Sequence, residues 1–118
     1  MINGVVYSND NNQPILTHVM KTSSVFERMQ GLLCREPIKE NEGLLIQPCS
    51  SIHTIGMRYD IDVVFLNNDF TIKKICKHVK PWRCAMSFGA AMVLEMIAGS
   101  VEKLGLDKNM KLKWEIKQ

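Results

Sequence analysis

The run Ile61-Asp62-Val63-Val64-Phe65-Leu66 constrains this chain more than any other segment. Most of its apolar residues are β-branched or aromatic, the types that fit a pleated surface. They fall at both parities, so both sides of the strand seek apolar neighbours. Such a strand belongs in the middle of a sheet covered on its two faces. A carboxylate at Asp62 must there be hydrogen-bonded or paired. Asn67-Asn68-Asp69 follows, residues that tolerate the positive φ of a tight hairpin turn. The chain then returns from Phe70 to Val79 with lysines at both parities. Neither face of that return is uniformly buried, and a bulge near Lys73-Lys74 is expected.

Shorter strands are expected at Val5–Tyr7 and Ile15–Met20, on either side of the turn-forming cluster Asn9-Asp10-Asn11-Asn12. Others are expected at Leu44–Ile46, Val93–Met96 and Leu112–Ile116, with Met86–Ala91 as a loop. Ser24-Val-Phe-Glu27 is a capping box. Val25, Phe26, Met29, Leu32 and Leu33 then share one helical face, giving a helix over 23–34 that stops before Pro37. Ser100 is the expected cap of a second helix over Val101–Leu104, ended by Gly105. The expected fold is α+β: a mainly antiparallel, partly closed β-sheet, barrel- or sandwich-like, with two short helices. All 118 residues form one domain on this reading, and 46% hydrophobic content suits a globular core.

The net charge of +3 is too weak to imply specific nucleic-acid binding. Its distribution is uneven. Between Asp69 and Glu95 there is no acidic residue, while Lys73, Lys74, Lys77, Lys80 and Arg83 all fall there. Such a patch attracts phosphates, carboxylates or an acidic partner, although lysines also keep a hairpin soluble and its edge unpaired. The first residues lack the basic and apolar regions of a leader peptide, and no stretch has the length of a transmembrane segment. The expected location is cytoplasmic, with Cys34, Cys49, Cys76 and Cys84 as reduced thiols.

The densest polar and reactive segment runs from Cys49 to Asp62, and three kinds of chemistry compete for it. In the first, Cys49 is a nucleophile activated by His53 as base. An extended strand would separate them by about 13 Å, whereas a turn brings such neighbours to about 5–6 Å, so the pair demands a bend through Ser50-Ser51. In the second, Cys49, His53, Cys76, His78 and Cys84 offer zinc-type ligands. No Cys-x2-Cys pair organises them, so neither metal nor cofactor is expected. In the third, His53, Thr54, Met57, Arg58, Asp62, Trp82 and Arg83 line a site for a small polar or anionic ligand, or a protein partner. Asp62 would pair with Arg58 or Arg83, and Trp82 would supply a flat apolar wall. The plainer alternative is an internal polar network that pins strands together. Met20, Met29, Met92 and Met96 read as core fillers.

Several ordered motifs together resemble a known family. They are Arg28-x2-Gly31-Leu32-Leu33-x-Arg35, Glu42-Gly43-Leu44-Leu45, Cys49-x2-Ile52-His53-Thr54-x2-Met57, Ile61 to Leu66, Pro81-Trp82-Arg83, and Val93-Leu94-Glu95-x2-Ala98-Gly99. This pattern resembles the uncharacterised bacterial and archaeal domain-of-unknown-function family one-nine-two (UPF zero-one-two-seven). The resemblance implies a compact β-rich α+β domain and no established activity. It also implies exported or lipid-anchored relatives. It places His53, Thr54, Met57, Asp62, Pro81 and Arg83 on matching positions, as a shared site or scaffold. The preferred reading is a non-enzymatic binding domain centred on His53, Asp62 and Arg83. The alternatives are a thiol-dependent enzyme with a Cys–His pair and an accessory module that uses the basic Lys73–Lys80 hairpin.

Overall fold

The structure, a computed structural model, describes residues 2–22 and 38–117. The strands are β1 (Ile2–Ser8), β2 (Pro14–Thr22), β3 (Glu42–Ile46), β4 (Ser51–His53) and β5 (Ile61–Leu66). They continue as β6 (Ile72–Val79), β7 (Cys84–Met86), β8 (Met92–Ile97) and β9 (Leu112–Ile116), with one helix, α1 (Ser100–Leu104), between the last two. Seven strands form a sheet in the order β6-β5-β8-β3-β2-β1-β9, and β4 and β7 form a separate two-stranded ribbon. The sheet is mixed, because β2 and β3 run parallel while its other pairs are antiparallel. A parallel pair needs a long crossover, and the segment between Thr22 and Glu42 has that length.

The expected partial closure needs correction. The sheet is not closed: its edge strands meet only at a bridge between Thr71 and Lys111, too little pairing to complete a barrel. Among the described residues there is one helix, since the expected helix over 23–34 lies outside them.

β5 sits inside the sheet, between β6 and β8, as its apolar run requires, and all six of its residues are buried. Its two faces feed two different core layers. Val64 and Leu66 pack with Met92, Leu94, Met96 and Val101, beneath α1. Ile61, Val63 and Phe65 pack with Ile52, Met57 and Val93, beneath the ribbon. The hairpin turn at Asn67–Phe70 closes with the Phe70 amide on the Asn67 carbonyl at 2.9 Å. β6 slips register against β5 at Lys73, where a bulge was expected, and again opposite Asp62. The second slip places His78 at φ 51, in the left-handed region.

Candidate functional site

The ribbon is held against the sheet by small and apolar residues. Ile52 of β4 is buried in the layer beneath it, and Ala85 of β7, its cross-strand partner, packs against the same layer. The alternate residues face outward: Ser51 opposite Met86, and His53 opposite Cys84. Thr54, fully buried, fastens one end. Its amide donates to the Arg83 carbonyl at 2.8 Å, and its carbonyl accepts the amides of Trp82 and Met57 at 3.0 and 3.1 Å. Its hydroxyl accepts the Arg83 amide at 2.9 Å and reaches the Lys80 carbonyl at 2.6 Å. One threonine therefore fixes the whole turn from Lys80 to Arg83.

That turn displays Trp82, 65% exposed and at φ 64. A bulky residue in the left-handed region costs on the order of 1–3 kcal/mol, a cost that structures retain chiefly at functional positions. Arg83 beside it is exposed, and its Nη1 donates to the Trp82 carbonyl at 3.3 Å. Arg58, in the loop after β4, is exposed as well. Neither guanidinium has a carboxylate partner among the described residues. Met57 is buried beneath the ribbon, so its position supports the loop.

Asp62 lies elsewhere. In β5 it shares its face with Val64 and Leu66, and its partner in β8 is Met96, all facing α1. The ribbon, with Trp82 and Arg83, covers the opposite face. Asp62 is 1% exposed. Its Oδ1 accepts the His78 amide at 2.9 Å, and its Oδ2 accepts the amides of Gly99 and Val101 at 3.0 and 2.9 Å. The expected Asp62–Arg83 and Asp62–Arg58 pairs do not form, because backbone amides take both oxygens on the other side of the sheet. The same carboxylate replaces the expected Ser100 cap: α1 begins at Gly99 with no side-chain cap of its own.

The Cys49 thiol donates to the Ser51 carbonyl at 3.0 Å, within its own loop. The thiol directly across from His53 is Cys84, which is exposed. Among the described residues no group of three His, Cys, Asp or Glu side chains is placed to share a metal ion. The buried acid on the ribbon side of the sheet is Glu95, fully enclosed and paired in register with Val63 and Leu44. Glu95 is not among the expected site residues. Its signal was a lone charge in the apolar strand Met92–Ile97, the same signal that drew attention to Asp62.

The architecture of the described residues is that of a β-rich α+β domain, an open mixed sheet with one short helix and a ribbon on opposite faces. The profile of the family DUF192, described as Uncharacterized ACR, COG1430, matches residues 5–114, and the chain belongs to that family. It is similar in structure to a candidate transcription regulator from Sinorhizobium meliloti 1021, with a TM-score of 0.82 and 23% identity over 97% of this chain and 94% of that one. It is similar also to a protein of unknown function from Novosphingobium aromaticivorans DSM 12444, with a TM-score of 0.74 and 19% identity over 95% and 84% of the two chains. At these identities the likeness is one of fold. No curated protein matches the chain. Among the described residues no helix is long and apolar enough to cross a membrane.

Proposed function

We propose that this is a binding domain for a small polar or anionic ligand, or for an acidic group on a protein partner, and that the Trp82–Arg83 end of the ribbon is its site. The observation that carries the reading is Trp82: strained, largely exposed, and fixed by a buried threonine that spends its hydroxyl and both its backbone groups on the ribbon and its loops. An aromatic held that way against its conformational preference is preorganised for contact. Arg83 and Arg58 supply positive charge without an internal carboxylate, and His53 adds a polar edge nearby. Thr54 belongs to the frame that holds this surface in place, while Asp62 secures the opposite face of the sheet.

Thermal unfolding in inorganic phosphate and in small dicarboxylates tests the proposal. A ligand at ten times its Kd stabilises by about 1.4 kcal/mol, enough to raise the midpoint by several degrees. The rise should vanish in Arg83→Ala and shrink in Trp82→Ala. Equal rises in all three proteins, or none in any, would refute the site.

A second reading follows from the register. His53 and Cys84 are direct cross-strand neighbours, a spacing that puts Cβ atoms about 4.5–5.5 Å apart. On that reading Cys84 is a nucleophile with His53 as its base. Iodoacetamide should then label Cys84 faster than free cysteine at neutral pH, and His53→Gln should abolish the difference. A rate equal to free cysteine removes this reading.

A further inference from the structure

The other end of the ribbon carries a feature that the Trp82–Arg83 site does not use. After β7 the chain makes a tight turn, with the Ala90 amide on the Ser87 carbonyl at 3.0 Å. Gly89 takes the left-handed position at φ 82. Ser87 is buried, and Phe88, at the tip, is 92% exposed. Met86, just before the turn, is 59% exposed on the outer face of the ribbon. Ile55 and Trp82 add two more exposed apolar side chains at the far end.

Two ammonium groups frame the Phe88 turn. Lys74 Nζ donates to the Met86 carbonyl at 2.7 Å. Lys73 Nζ lies so near Gly89 that a Cβ built there would be 3.1 Å from it. Neither makes an ion pair among the described residues, whereas Lys77 faces Glu102 and Lys80 faces Asp60. The cations beside the apolar tip are thus uncompensated ones. Exposed apolar side chains gathered in this way mark a contact surface.

We infer that this face of the ribbon docks on an anionic lipid surface. Phe88 and Met86 enter the boundary between headgroups and acyl chains, and Lys73 and Lys74 meet the lipid phosphates and carboxylates. The collar favours a bilayer over a protein groove, because lysine is depleted from protein interfaces while anionic membranes attract it. Exposure favours it too: Phe88 and Met86 project from the end of the ribbon, a protrusion that suits a surface laid over it better than one pocket. Aromatic side chains flanked by cations are the usual occupants of the membrane interface.

Flotation of the full chain with phosphatidylcholine vesicles, with and without phosphatidylserine, tests the inference. Binding should require phosphatidylserine and fall as salt rises. Phe88→Ser should weaken it about tenfold, and Lys73→Gln and Lys74→Gln about fivefold each. These side chains lie at the surface, so the variants should keep the parent's thermal midpoint. Phe88→Ser should also keep the phosphate-induced rise in midpoint, so that the ligand site and the lipid face stand or fall separately. No binding to phosphatidylserine vesicles would overturn the inference. So would binding indifferent to Phe88→Ser, or a Phe88-dependent dimer that ignores lipid.

Discussion

Asp62 takes the amide that the second bulge of β6 releases at His78, and two more at Gly99 and Val101, where α1 starts. The Val101 amide is buried and those of His78 and Gly99 lie in part-buried hydrogen bonds, and a buried unsatisfied amide costs about 1–3 kcal/mol. Asp62→Ala strands three at once. It should lower the unfolding free energy by about 3 kcal/mol or more, and Asp62→Asn by less, as read from urea unfolding. A change within about 0.5 kcal/mol for Asp62→Ala would contradict the structural role given to this acid. Thr54 does comparable service at the ribbon, where one hydroxyl and two backbone groups hold the turn that displays Trp82.

At the scale of elements, legibility followed burial and length. β5 and β9 span the residues expected of them, because an apolar run bounded by turn residues leaves little choice of ends. The Gly105 stop after α1 was equally plain, since it rests on a residue that tolerates positive φ; the turn at Asn67–Phe70 lies where expected, but its positive φ falls on Phe70, at 67, and not on Asn67, Asn68 or Asp69. β4 and β7 were missed: three residues each are too few to show a period, and Cys84–Met86 lies where a loop was expected to begin. The site suffered for the same reason. Alternation along β5 does put Asp62 and Val63 on opposite faces, but which face carries the ribbon is decided by long-range packing. The hairpin turn makes its own prediction. The Thr71 side chain, then the Thr71 amide, hold the Asp69 carboxyl below the usual carboxylate range. A lowered acid stabilises the fold above the unfolded pKa, and that support is lost as pH falls through the folded one. Below about pH 4 the parent should therefore lose a small increment that Asp69→Asn lacks at every pH. Parallel stability profiles for the two proteins would contradict this.

At the scale of the whole molecule, early and late segments interleave. β8 lies between β5 and β3, and β9 completes the far edge beside β1. Pairings so distant along the chain make folding slow, in the millisecond to second range. The β1–β9 edge depends on a close approach: a Cβ at Gly4 would sit 2.4 Å from the Trp114 ring. Gly4→Ala should cost about 1–3 kcal/mol by overpacking and alter the Trp114 emission, while Gly99, with open space around it, offers no such clash. The assembled molecule thus has two unlike sides: α1 and the sealed Asp62 on one, and the ribbon with its exposed aromatics and unpaired cations on the other. Amide chemical-shift mapping during a phosphate titration tests that division most directly. Shifts should gather at Thr54, Trp82, Arg83 and Cys84 and leave Gly99 and Val101 unmoved. Shifts centred on α1, or no shifts at the ribbon, would contradict the account.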